Sequence, residues 1–409
     1  MKQVVSNFLI AFGVATMGHA AGAKSPATHA VTKTGTAPAT VVRLPALPPL
    51  KAISVPPMWA VAYSPDGTRL AVGTYRRVLV FDATTGAKTG DYLLSSDAIR
   101  SVAFSPDGKA IAVGTGVPAR SGSIMLLNSA SGKLLRTIQD HDDTIDALAW
   151  EGNSLLLTAA NDESVGVNDT ATGKTVATLT EHIGRCLSVA VPTKTDADNG
   201  GEIFATGGAD KAVKIWDAKL RRVVVNFDQC PGAVWCLAAA PRAGTFVAGC
   251  EDGKLRIFQV RADGKRRDKA PADEPGPRTG YMAREQAASE GPLYAVACAP
   301  DSSRIVSGGA DGKVIVWNGD AGGRQREMKE AKRDIWSVAV SPDSKRVAAA
   351  SLDGHMRVYD LATGALVFTI GAKGVEIPPV AAPAAKPGAP PALPIPAKKA
   401  PMPARMTLR

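Results

Sequence analysis

Aromatic residues, cysteine, histidine and long apolar runs are all scarce in this chain. Phe, Trp and Tyr together make up 5% of its 409 residues, and there are five cysteines and five histidines. Five cysteines in a chain of this length are too few for a disulfide scaffold, and two bonds among them could be drawn in many ways. No apolar run approaches the roughly 20 residues that a membrane-spanning helix needs. No C-x-x-C-H run is present, which excludes covalent haem attachment of that type. Phosphate-cradling glycine loops, paired-carboxylate signatures and Ser-His-Asp patterns do not stand out. Of the three central histidines, His141, His182 and His355, none sits in a cluster with metal-ligand spacing. The expectation is a protein without cofactor, bound metal or catalytic residues.

Glycine and proline, at 40 and 29 residues, are plentiful. Glycine at about a tenth of the chain favours many tight turns. Hydrophobic residues reach 45% and charged residues 21%, enough to bury a core in one large all-β domain or in two or three smaller ones.

The net charge of +10 loses its first meaning once it is placed. Residues 1–57 carry Lys2, Lys24, Lys33, Arg43 and Lys51 and no acid. Residues 376–409 carry Lys386, Lys398, Lys399, Arg405 and Arg409 against Glu376. What remains for residues 58–375 is close to neutral. Nucleic-acid binding draws most of its affinity from phosphate neutralisation by the fold itself, so no nucleic-acid partner is expected.

The two ends do not read as fold. Met1-Lys2, the apolar stretch Phe8 to Met17 and Ala21-Gly22-Ala23 read as an export signal over residues 1–23, placing the protein in the periplasm or outside the cell. Residues 24–57 read as a linker. Residues 376–409 hold ten prolines, favour extended polyproline II and cannot bury enough apolar area to fold. That tail reads as a spacer, as a ligand for a proline-recognising partner, or as a weak contact with an anionic surface.

Between the ends one phrase recurs. VAYSPDG at 61–67 returns as VAFSPDG at 102–108 and VAVSPDS at 338–344, with weaker copies starting at Leu148, Val189, Leu237 and Val296. Each is followed by a β-branched run that ends in a landmark pair: Phe81-Asp82, Leu127-Asn128, Asn168-Asp169, Trp216-Asp217, Phe258-Gln259, Trp317-Asn318 and Tyr359-Asp360. Each unit offers several short strands parted by Pro-Asp-Gly, Asp-Gly or Thr-Gly turns. A four-stranded sheet of about 40 residues is marginal alone and must bury its faces on neighbours, so seven of them form a closed ring.

These residues resemble the WD-repeat β-propeller family over about three-quarters of the chain. The resemblance implies an all-β, seven-bladed propeller of four-stranded antiparallel sheets over 58–375. It implies a family hydrogen-bonded set, complete only in His182, Thr206, Asp210 and Trp216. The third unit has His141, Thr158 and Asp162 but Asn168 in the Trp position; the sixth has Ser307, Asp311 and Trp317 without the His. Stretch 261–290 reads as a solvated loop insertion. Either Leu50 to Val55 or Ala365 to Ile370 supplies the strand that closes the ring.

Each unit opens on an apolar-x-x-apolar phrase such as IRSV or IWSV. The first x is Trp59, Arg100, Asp146, Leu187, Trp235, Tyr294 or Trp336, and the second is always small. By the resemblance, the first set rings the mouth of the central channel. Trp, Tyr and Arg anchor interfaces. The expected function is a non-catalytic, monomeric platform for a protein, peptide or envelope component, the competing readings being an enzyme at the channel mouth or an intracellular scaffold.

Overall fold

The structure is a computed structural model that describes residues 56–192, 203–242, 244–262, 278–319, 322–371 and 374–376. Every regular element among them is a strand. The first sheet holds β1 (Ala60–Tyr63), β2 (Arg69–Gly73), β3 (Tyr75–Asp82) and β4 (Lys88–Ala98). The second holds β5 (Ser101–Phe104), β6 (Ala110–Val117), β7 (Ser121–Asn128) and β8 (Leu134–His141). The third holds β9 (Ile145–Glu151), β10 (Leu155–Ala160), β11 (Val165–Asp169) and β12 (Lys174–Leu179). The fourth holds β13 (Cys186–Ala190), β14 (Ile203–Gly208), β15 (Val213–Asp217) and β16 (Arg222–Phe227). The fifth holds β17 (Val234–Ala239), β18 (Thr245–Cys250), β19 (Lys254–Ala262) and β20 (Arg278–Ala287). The sixth holds β21 (Leu293–Cys298), β22 (Arg304–Gly309), β23 (Val314–Asn318) and β24 (Arg324–Met328). The seventh holds β25 (Ile335–Val340), β26 (Arg346–Ser351), β27 (Met356–Asp360), β28 (Leu366–Gly371) and β29 (Gly374–Glu376).

Both repeated phrases are turns. In the first, the Gly67 amide donates to the Ser64 carbonyl at 2.8 Å, closing a turn around Pro65-Asp66. Proline presets the second position of such a turn, and Gly67 takes the left-handed φ of 73° that its last position requires. Ser64 Oγ then accepts the Arg69 amide at 2.9 Å, starting the next strand. In the second phrase the acid caps the following turn. Asp82 Oδ1 accepts the amides of Thr84 and Thr85 at 2.9 and 2.7 Å, and Asp217 does the same for Lys219 and Leu220. The Asp after the aromatic residue is therefore a turn former.

Ser302 holds the left-handed position with φ of 61° although it carries a Cβ. Such a conformation costs a non-glycine residue about 1–2 kcal/mol. Ser302→Gly is expected to raise stability by about 0.5–1 kcal/mol after the glycine's extra chain entropy is subtracted, seen as a higher urea midpoint. An unchanged or lower midpoint would refute it.

The inner strands β1, β5, β9, β13, β17, β21 and β25 lie side by side in chain order, and β25 packs back on β1. The core is divided accordingly into seven apolar clusters, one at each seam between neighbouring sheets. Val213, Ile215, Phe246 and Phe258 fill the fourth-to-fifth seam. Met58, Leu70, Phe81, Ala348, Met356 and Phe368 fill the closing one. Middle strands are therefore buried on both faces, as in Leu155–Ala160, which is why they read as apolar runs without alternation.

One expectation changes here, and one of the two closing strands left open is the one found. Of the stretch 261–290, residues 278–287 form β20, paired with β19 from Lys254↔Ala287 to Ala262↔Arg278. This outer strand is largely exposed and rich in charge, so it lacks the apolar signal of a strand. The ring is closed by β28, the fourth strand of its own sheet, with β29 added beyond it. Leu50 to Val55 lie outside the described residues, as do the export signal, the linker 24–55 and the tail after Glu376.

Candidate binding site at the channel mouth

The seven first-x residues come together. Trp59, Arg100, Asp146, Leu187, Trp235, Tyr294 and Trp336 line a single cavity of about 270 Å³ at one end of the inner strands. The small second-x residues, from Ala60 and Ser101 to Ser337, line it too. Local backbone geometry explains the placement. In five sheets the first-x residue is the extra residue of a β-bulge: Ile335 pairs with Ser351 and Ser337 with Ala350, leaving Trp336 unpaired between them. Leu187, Trp235, Tyr294 and Asp146 stand the same way. A bulge breaks the strict two-residue alternation and re-aims a side chain. The buried residue before it, Ile335 or Val234, stays in the seam, while the bulged one turns to the channel.

The lining is polarised. On one side Trp235, Tyr294 and Trp336 form an aromatic group. Tyr294 and Trp336 stack with centroids 4.5 Å apart, and Trp235 meets Tyr294 edge-on at 5.5 Å. The Trp235 Nε1–H is buried and has no hydrogen-bond partner among the described residues. On the other side Arg100 donates to Asp146 at 3.0 Å. Burial pushes the Asp146 carboxyl up, against the pull of Arg100. Burial, with the carboxylates of Asp334 and Glu251 nearby, also pushes the Tyr294 phenol up. The lining offers one carboxylate and no imidazole, and the described residues contain no group of three or more metal-ligating side chains.

The hydrogen-bonded set closes as the resemblance implies. Trp216 Nε1 donates to Thr206 Oγ1 at 2.8 Å, His182 Nε2 meets the same hydroxyl at 2.8 Å, and His182 Nδ1 meets Asp210 at 2.8 Å. His182 and Asp210 lie at the mouth end of the fourth sheet, in the loop before β13 and the β14–β15 turn, while Trp216 pairs with Phe204 near the other end. His182 and the Ile183 amide, both on Asp210, tie the loop before β13 to the β14–β15 turn.

Sequence reasoning missed three partners. Asp140, on β8 of the second sheet, accepts Asn168 Nδ2 at 2.6 Å and Thr158 Oγ1 at 2.9 Å from the third, at the place left by the missing Trp. In the fifth and seventh sheets no histidine stands in the loop before the inner strand, and an arginine on the third strand pairs with the acid instead. Arg256 binds Asp252, and Arg357 binds Asp353, each through two nitrogens. The repeated Asp-x-x-x-Arg spacing could have revealed this. His355 is half-buried against its own turn, with Nδ1 3.1 Å from the Asp353 carbonyl. The five cysteines stand as free thiols.

His141 supplies a pH test. Its Nδ1 lies 2.9 Å from Asp162 and its Nε2 3.1 Å from Asp140. Burial disfavours its charge, but hydrogen bonds and charge from the two acids outweigh that and hold its pKa at about 9. Asp162 is held down at about 2. A histidine whose pKa rises on folding stabilises fully below its unfolded value near 6.5, and the contribution fades as pH climbs through 9. Asp162 contributes above about 4 and loses it as pH falls towards 2. Wild type minus His141→Gln stability should thus be largest between about pH 4 and 6.5 and shrink by on the order of 2 kcal/mol by pH 10. A flat difference across that range would refute a charged His141.

Residues 173–217, 222–259, 284–318 and 323–360 match the family described as WD domain, G-beta repeat. Residues 93–153 match the anaphase-promoting complex subunit 4 WD40 domain. The chain is 24% identical over 136 residues to a guanine nucleotide-binding protein subunit beta of Saccharomyces cerevisiae, covering 33% of this chain and 32% of that one. It is 26% identical over 192 residues to the DENN domain and WD repeat-containing protein SCD1 of Arabidopsis thaliana, covering 47% and 14%. It is 27% identical over 207 residues to the protein ROOT INITIATION DEFECTIVE 3 of the same plant, covering 48% and 44%. The matches thus span less than half the length of each relative.

Proposed function

Since the chain belongs to the WD-repeat family, we propose that its propeller is a non-catalytic platform that binds a protein or peptide partner at the channel mouth. The observation that carries this reading is the aromatic group Trp235, Tyr294 and Trp336 set in a shallow cavity at the strand ends. At about 270 Å³ the cavity falls below the roughly 300–1,000 Å³ of small-molecule sites. It has room for one or two side chains of a larger partner. Aromatic anchors in such settings carry most of an interface's energy. Ile183, 88% exposed in the loop before β13, adds apolar surface at the same end.

The test places a photo-crosslinking residue at Ile183 in the native cell and, as control, at Lys109. Lys109 is exposed on the turn at the opposite end of the second sheet. Partner adducts should come from position 183 and depend on Trp336. Equal yields from both positions would overturn the proposal. An enzyme reading rests on Asp146, whose raised pKa in a cavity is the mark of many catalytic groups, but its charge is engaged by Arg100 and no second carboxylate or imidazole lines the cavity.

The reading includes export as a monomer to the periplasm or cell exterior, on the strength of Phe8–Met17 and Ala21-Gly22-Ala23. Mass spectrometry of the native protein should find a terminus near residue 21 or 24. An intact Met1 or Lys2 on cytosolic protein would sink export and leave the intracellular scaffold.

A further inference from the structure

We propose that the channel mouth binds the chain's own proline-rich segment after Glu376, centred on Pro387–Pro396, so that the tail occupies the site in competition with outside partners. The inference rests on the platform reading above and names an occupant for it.

Chemistry is the first support. Polyproline II repeats every three residues, and in that conformation Pro387 and Pro390 would share a face, as would Pro391 and Pro394. Such a chain is already extended, has no internal hydrogen bonds and presents bare carbonyls. Aromatic-lined grooves recognise it by packing rings against the proline faces and donating N–H or O–H groups to those carbonyls. The mouth offers the stacked Tyr294–Trp336 pair, the Trp235 ring and a buried Trp235 Nε1–H without a partner among the described residues.

Charge is the second. The segment beyond Glu376 carries Lys386, Lys398, Lys399, Arg405 and Arg409 and no acid. Glu251 and Asp334 stand close enough to Tyr294 to act on its phenol.

Topology is the third. Ile335 pairs with Ser351 and Met356 with Ile370, so β28 finishes at the same end of the seventh sheet as Trp336 begins β25. From there β29 turns back for only three residues. Glu376 lies four strands out from β25, about 19 Å at roughly 4.8 Å per strand. Pro391 follows 15 residues later, a reach of about 46 Å at 3.1 Å per residue. A tether that comfortably spans its site gives a millimolar-range effective concentration, so weak contacts suffice.

The experiment uses the full chain with a photo-crosslinking residue at Leu393, and maps acceptors on the monomeric product by mass spectrometry. The expected result is that most adducts fall on peptides containing Trp235, Tyr294 or Trp336. They should drop at least tenfold in the Trp235→Leu/Trp336→Leu variant. Adducts on other faces, or only between two chains, would overturn the proposal. If that variant fails to fold, the wild-type map decides alone. The two proposals separate cleanly: a mouth that captures partners through Ile183 but not the tail through Leu393 ends this inference and leaves the platform. A mouth that takes the tail but no partner ends the platform.

Discussion

Trp216→Ala is expected to lower the stability of the propeller by about 3–5 kcal/mol, and by at least 1 kcal/mol more than Trp317→Ala. Both indoles are buried, at 1% and 2% exposure, so the cavity left behind is similar. Each donates one hydrogen bond of 2.8 Å, Trp216 to Thr206 and Trp317 to Ser307. The difference lies beyond that bond. With the His182 proton on Nδ1 facing Asp210, the Thr206 hydroxyl donates to Nε2 and accepts from Trp216. The chain from indole to carboxylate then polarises in one direction. Buried chains of this kind strengthen each member and suffer when one end is removed. Trp216 also stacks on Phe204 with rings 3° from parallel, an aromatic contact that truncation forfeits. Urea denaturation of both variants is the measurement, and equal midpoints would refute the network argument.

Arg256→Met should cost about 3 kcal/mol. Arg256 is 1% exposed and ties two acids from different strands. It grips Asp252 in the β18–β19 turn through two nitrogens and Glu285 on β20 through Nε at 2.9 Å. Removing one member of a buried ion pair strands the others, at about 3–5 kcal/mol. The lower figure applies because Asp252 and Glu285 keep 23% and 34% of their side-chain exposure. If stranded charge is the cause, neutralising it should repair the damage. The triple variant Arg256→Met/Asp252→Asn/Glu285→Gln should recover most of the loss in a urea midpoint. A triple variant as unstable as the single one would assign the cost to lost packing of the arginine stem instead.

Sheet number, strand number and the mouth residues were legible because repetition turns each position into seven readings. A lone Trp336 would say little, but Trp59, Trp235 and Tyr294 in the same register mark a shared environment. What repetition could not carry was whatever differs between copies. Strand β20 hid because an outer strand with one partner is exposed and keeps no apolar alternation. Asp140 was missed because it reaches from the second sheet to a position in the third, and Arg256 and Arg357 because the template asked for a histidine in a loop. An interior acid needs a partner cation but does not care which element provides it. The bulge that aims Trp336 at the channel also left no mark in the sequence, since any residue can be the extra one.

Closure by β28 has a genetic consequence. Each described sheet is built from one contiguous stretch of chain, and none borrows a strand from the opposite terminus. A duplication or deletion of one whole unit in the gene therefore adds or removes a finished part and leaves no orphan strand. The joint that must be remade lies where the unit is gained or lost; for a unit at either end of the chain it is the apolar seam where Met58 and Phe81 meet Ala348 and Phe368, sewn by the Val61 amide on the Ser337 hydroxyl at 3.2 Å. The units need to match only at their seams, and the acid–cation pairs behind them differ: His141 with Asp162 across the second and third sheets, Arg256 with Asp252 in the fifth, and Arg357 with Asp353 in the seventh.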